Sequence, residues 1–131
     1  MHVERVPVEV STRAPTGRTA CYIVGDEAAL LVDPPTTDER IDRHLEDIDH
    51  IAVTHHHPDH VGAVAEYAEA ADATVWCRYG RKSHFETATG ALPDRTFREG
   101  TAIPTDDGAV FVHDTPGHAP EHVAFAVDDG L

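Results

Sequence analysis

The chain has 131 residues, enough for one domain with a core but small for a two-sheet enzyme. Ten Lys+Arg against 24 Asp+Glu give a net charge of −14, which argues against a nucleic-acid partner because such a partner wants a basic face. No stretch approaches membrane-spanning length, and Met1-His2-Val3-Glu4-Arg5 lacks the basic end and apolar core of a signal peptide, so a cytoplasmic protein with no membrane partner is expected.

The charge has a further side. Lys82 is the only lysine against nine arginines, and aspartates outnumber glutamates 14 to 10. An acidic, lysine-poor surface fits a halophilic source, where salt screens the self-repulsion; ordinary acidity is the plainer alternative. In a halophile the argument against nucleic acid weakens, since acidity becomes a background. Cys21 and Cys77 make no zinc-type pair and read as buried strand thiols, not as a disulfide.

In chain order, residues 2–10 alternate with Val6, Val8 and Val10 on one side and read as an edge strand, a position that tolerates Pro7. A loop with Pro15 and Gly17 follows. Two apolar runs, residues 20–24 and 28–32, flank Gly25-Asp26-Glu27 and suggest a hairpin. Thr36-Thr37-Asp38-Glu39 has the form of a capping box, with Thr36 as cap, and opens a short helix with Ile41 and Leu45 inside. His44 and His50 are expected to be solvated. Residues 51–54 are a β-branched run ending in a histidine-rich segment. A helical pattern then begins, with Val61, Val64, Ala65 and Ala68 on one face, and ends near Ala71-Asp72. Gly62 is expected to let that helix sit close to the sheet. Residues 73–77 form a strand carrying Trp76. The stretch 78–98 is irregular, with a short helix around 81–87; Tyr79, Arg81, His84 and Phe85 fit a surface helix better than a pocket wall. A strand over 97–104, a turn at Asp106-Asp107-Gly108, a strand over 109–113, a loop over 114–120 and a last strand over 122–127 complete the chain.

The chemistry concentrates in Thr54-His55-His56-His57-Pro58-Asp59-His60-Val61-Gly62. His55 and His57 are two apart, so in an extended segment they leave on the same side and can grip one ion. Asp59 and His60 follow at the helix start. Neutral imidazole and carboxylate are ligands that zinc and other borderline ions accept. A solvated histidine-rich turn is the bland alternative, but the strand before and the helix after favour a site at a strand's carboxyl end, where open α/β sheets place their chemistry.

His55, His57, Asp59 and His60 match position for position the His-x-His-x-Asp-His signature of the metallo-β-lactamase superfamily, and the chain resembles that family. Thr115-Pro116-Gly117-His118 is similar to the family's segment carrying the next histidine ligand; taken alone, His118 would read as a satisfied loop histidine. Ala29-Leu30-Leu31-Val32-Asp33 is similar to the early strand whose terminal aspartate supports the site; a turn-capping aspartate is the alternative. The resemblance runs from about Cys21 to the end. It implies an α/β (α+β) fold of the αββα sandwich type, with the first sheet, its helices and the start of the second half present. It also implies one domain over 1–131, truncated on its C-terminal side, because the family's metal-bridging aspartate and last histidine would follow Asp128-Asp129-Gly130-Leu131.

From the resemblance, His55, His57 and His118 would hold one ion, and Asp59 and His60 a second. Asp59 would also orient the nucleophile. Asp33 would accept a hydrogen bond from a ligand histidine, and His122 would pack or hydrogen-bond beside the site. The expected cofactor is zinc, one or two ions, with iron or manganese as alternatives, and the first site should bind better than the second. The implied activity is hydrolysis of a small ester, thioester or lactone by metal-bound hydroxide, of the glyoxalase II or lactonase type. Two alternatives are a mononuclear-iron persulfide dioxygenase of the same fold and a non-catalytic metal-binding fragment. The edge at 122–127 would invite pairing, so a homodimer is a further expectation.

Overall fold

The computed structural model describes residues 3–9, 18–54, 61–114 and 123–127. Two sheets carry the fold. The first has six strands in sequence order: β1 (Val3–Glu9), β2 (Arg18–Val24), β3 (Ala29–Val32), β4 (Ile48–Ala52), β5 (Thr74–Arg78) and β6 (Arg95–Phe97). β1, β2 and β3 are antiparallel neighbours, whereas β3, β4, β5 and β6 run parallel. The second sheet is antiparallel and three-stranded: β7 (Ala102–Thr105), β8 (Gly108–Asp114) and β9 (Val123–Val127).

Apolar runs decide the layering. All of Ala29-Leu30-Leu31-Val32 is buried, as expected of a strand covered on both faces. Leu31, Ile51, Val75 and Cys77 face one way, into a core closed by Ile41, Val64, Tyr67 and Phe85 from the helices. Leu30, Val32, Ala52, Trp76 and Phe97 face the other way and meet Ile103, Val110, Val112 and Val123 of the second sheet. The described layers are therefore helices, sheet, sheet, three of the four in an αββα sandwich. Cys21 and Cys77 are buried free thiols, as expected. Burial pushes both thiols up, Cys21 the further with Asp33 and Asp38 nearby, and Cys77 to about 11.

The helices are short: α1 (Glu39–Asp42), a 3-10 turn at Leu45–Asp47, α2 (Val64–Ala71) and α3 (Lys82–Thr89). None of the described helices is long and apolar enough to cross a membrane. Several local expectations need correcting. The cap of α1 is Asp38, not Thr36; its carboxylate accepts the Arg40 N–H at 2.8 Å. Its own N–H donates to the buried Tyr67 hydroxyl, also at 2.8 Å, a distant contact that favours it over Thr36. Gly62 is exposed in a turn before α2 and does not bring helix and sheet together. His50 lies within β4, and its Nδ1 accepts the Trp76 indole N–H at 3.1 Å. Phe85 is core, while Tyr79 is 57% exposed. The strand expected over 97–104 is two strands in different sheets, and the chain crosses between them at Arg98-Glu99-Gly100-Thr101. A bond from the Gly100 N–H to the Val112 carbonyl, 2.7 Å, fixes that crossing.

Candidate metal centre

Of the residues expected to form the site, Asp33 is described; His55, His57, Asp59, His60, His118 and His122 lie outside the described residues. The frame that holds those segments is described in detail. β3 and β4 are parallel, with Val32 opposite Ala52, so both strands end at the same rim. Asp33 follows β3 there. It is 4% exposed and is the single buried charged side chain among the described residues. Its backbone is left-handed at φ 55°, a conformation that aspartate tolerates better than most residues.

The Asp33 carboxylate clamps Thr54, the residue directly before His55. Oδ1 accepts the Thr54 N–H at 2.7 Å, and Oδ2 accepts the Thr54 hydroxyl at 2.7 Å. The Asp33 N–H in turn donates to the Ala52 carbonyl at 3.1 Å. Charge-assisted bonds of this length are strong, and in a buried setting they fix where the chain leaves β4. Asp33 and Thr54 each have a further interaction besides these. On the far side of the motif, the Ala63 N–H donates to the Pro34 carbonyl at 3.0 Å, so the strand end carrying Asp33 also holds the start of α2.

The start of β9 is pinned to the same place. The Val123 N–H, just after residues 115–122, donates to the Thr54 carbonyl at 2.8 Å. Before those residues, Asp114 at the end of β8 takes Arg78 at 3.1 Å through Oδ2, and the two side chains are 33% and 21% exposed respectively. The Asp114 N–H donates to Glu99 Oε1 at 3.2 Å, and Glu99 Oε2 meets His113 Nδ1 at 2.8 Å. The His113 bond and then the Asp114 N–H hold the Glu99 carboxyl below its usual range. Thr54, Arg78, Glu99 and Asp114 were missed by sequence reasoning. Thr54 could have been found as a hydroxyl-bearing strand end beside a buried aspartate; the partners of Arg78 have no local signal.

His44, expected to be solvated, meets Glu4 at 2.8 Å, and His113 meets Glu99. Among the described residues, three carboxylates also converge at Asp26, Asp106 and Asp107, all exposed. They sit where the β7–β8 turn, with Asp106 and Asp107, meets the β2–β3 turn, with Asp26, at the opposite end of β3 from Asp33; Asp106 Oδ1 there accepts the N–H groups of Asp26 and Ala28 at 2.9 and 3.1 Å.

Comparison with known proteins agrees with this frame. A hydroxyacylglutathione hydrolase of Rhodopseudomonas palustris strain CGA009 is 33% identical over 114 residues, 87% of this chain and 40% of that enzyme. One from Bdellovibrio bacteriovorus is 29% identical over 130 residues, 95% of this chain and 47% of that enzyme. The chain thus spans less than half the length of these two relatives. Among solved structures, a subclass B3 metallo-beta-lactamase of Bradyrhizobium japonicum superposes with a TM-score of 0.71 at 26% identity, covering 85% of this chain and 52% of that one. A metallo-beta-lactamase family protein from Thermus thermophilus gives 0.71 at 22% identity, covering 94% and 55%. The sequence profile described as the metallo-beta-lactamase superfamily matches residues 14–130. With that match over most of its length, and a mixed α/β fold shared with the solved members, the chain belongs to the metallo-beta-lactamase superfamily.

Proposed function

We propose that this chain forms part of a metal-dependent hydrolase acting on a small ester, thioester or lactone, with a thioester favoured by the hydroxyacylglutathione hydrolases among its relatives. The observation that carries the reading is the bond from Val123 N–H to Thr54 carbonyl at 2.8 Å. It ties the end of the His118 loop to the residue before His55, as a shared ion would require.

The donor set suits a divalent ion of zinc type: imidazoles and one carboxylate, next to a buried aspartate committed to hydrogen bonds. His55, His57 and His118 would hold one ion, and Asp59 with His60 a second. When bound, such an ion supplies Lewis acidity and makes water acidic enough to ionise near neutral pH. The rest is the chain's own work. Asp59 would orient the attacking water through its carboxylate. Asp33, by fixing Thr54, sets the direction in which His55 leaves β4. His122 would pack beside the ligands.

The test is His57→Ala, compared with the parent protein after loading with zinc. Bound zinc, measured by elemental analysis after gel filtration, is expected to fall, and thioester hydrolysis to drop on the order of a hundredfold or more. Equal zinc content and equal turnover in the two proteins would refute the proposal. Elemental analysis of the protein as purified from its source separates zinc from iron.

A further inference from the structure

We propose that the turn after β5 and the residue after β6 form an anion-receiving patch beside the metal centre, so that the substrate carries carboxylate or phosphate groups away from the bond that is cleaved. This rests on the hydrolase reading above and names its substrate class.

The charge distribution is the first ground. Five of the chain's ten basic residues, Arg78, Arg81, Lys82, Arg95 and Arg98, fall between positions 78 and 98, where Glu86 and Asp94 are the only acids. That stretch carries +3 in a chain of −14. In a chain of that net charge, a local positive island favours an approaching anion.

The place is the second ground. In the parallel register Ile51 lies opposite Val75, so Thr54 aligns with Arg78. Arg78 lies opposite Phe97, which sets Arg98 beside Tyr79, and the Tyr79 N–H donates to the Phe97 carbonyl at 2.7 Å. With strands about 4.8 Å apart, the backbone of Arg78 is one strand and that of Arg98 two strands from Thr54, roughly 5 and 10 Å. The island therefore occupies the same rim as Thr54, the residue before the histidine motif in sequence.

The cations there have different tasks. Arg78 is paired with Asp114 and is not counted as an anchor. Arg95 lies below the rim, its guanidinium 5.6 Å from the centre of the Trp76 ring. Arg81 and Lys82, where α3 begins, are exposed, and so is Arg98. The Arg98 guanidinium rests on the Tyr79 ring at 4.5 Å, which limits its freedom before any ligand arrives. A turn closed by the Arg81 N–H on the Arg78 carbonyl, 3.0 Å, holds Arg81 to the strand end. Of the acids nearby, Asp94 accepts the Val75 N–H at 2.9 Å and Glu99 binds His113 and Asp114, while Glu86 lies one turn on from Lys82 in α3.

The test uses S-hexylglutathione, a thioether with two carboxylates, and its dimethyl ester, titrated calorimetrically into the zinc-loaded protein at low salt. The diacid is expected to bind roughly five- to tenfold tighter than the diester, and added salt to erode the difference. R81Q/R98Q should abolish the preference and R81K/R98K should keep it. R43E changes the net charge by the same amount as R81Q/R98Q. Arg43 lies with Ile48 and Asp49 at the opposite end of β4, so R43E should keep the preference too. Circular dichroism checks that each variant is folded. Equal binding of diacid and diester, no binding of the diacid, or an equal loss in R43E would overturn the proposal. Zinc content and hydrolysis of the neutral ester p-nitrophenyl acetate report on the hydrolase reading separately. Their absence with the charge preference intact would fault that reading and not the patch.

Discussion

Asp33 and Asp106 do similar work at opposite ends of β3, and the contrast separates a site frame from an ordinary turn. Each carboxylate gathers hydrogen bonds from the chain near a strand end. Asp33 does so at 4% exposure, holding both the amide and the hydroxyl of Thr54. Asp106 does so in open solvent, with the amides of Asp26 and Ala28. Water can replace what Asp106 provides. It replaces less readily what the buried Asp33 provides to half-buried Thr54, so the loss of Asp33 leaves two donors poorly satisfied. Clustered acids near a turn therefore carry little weight as a functional signal, whereas one buried acid at a parallel strand's carboxyl end carries a good deal.

That comparison can be broken most directly at Asp33. Asp33→Ala should cost about 3 kcal/mol, from two unsatisfied donors and a left-handed backbone, whereas Asp106→Ala should leave the denaturation midpoint almost unchanged. Equal urea midpoints for the two variants would show that burial is not what distinguishes them. Arg78→Ala comes next. The Arg78–Asp114 pair joins β5 to β8 at partial exposure, so its removal should cost about 1 kcal/mol or less. If the proposed metal centre is right, the more telling expectation is a weaker hold on added zinc, read as faster release to a chelator; release at the parent rate would assign the pair to stability alone.

The smallest effect concerns pH. Burial, with a lesser contribution from Arg95, holds the His50 pKa below its ordinary 6.5 against the opposing pull of Asp49. The unfolded chain thus takes up the proton first. The stability due to neutral His50 is complete above about pH 6.5 and is lost as pH falls toward the folded value. His50→Gln can still accept the Trp76 indole N–H, and it should flatten that part of the profile. An unchanged slope just below pH 6.5 in the variant would rule out His50 as the source.

The legible parts of the fold were those whose cause is local. The hairpin of β2 and β3 was visible in two apolar runs around Gly25, the end of α2 in the pattern closing at Asp72, and the strand–motif–helix order in a β-branched run leading into the histidines. What could not be read depended on distant partners. Arg95–Phe97 is too short to announce itself, and it becomes a strand because β5 offers an edge to pair with. His50 looked like a solvated residue because Trp76, its partner, is 26 positions away. Thr36 and Asp38 are both good caps, and the choice fell to Tyr67, 29 positions on from Asp38. At the candidate site, Asp33 was legible as the residue that closes β3; the histidine motif lies outside the described residues. The Thr54 clamp and the Arg78–Asp114 tie between sheets were not legible, because each exists only once the strands are aligned.

The contact between Val123 and Thr54 joins main chain to main chain. Ordinary substitutions at either position change the side chain and leave the amide and the carbonyl where they are. The side chains at the end of β4 and the start of β9 can consequently drift in composition while the spacing between the two strand ends is inherited unchanged. Proline at position 123 is the exception, since it removes the donor itself.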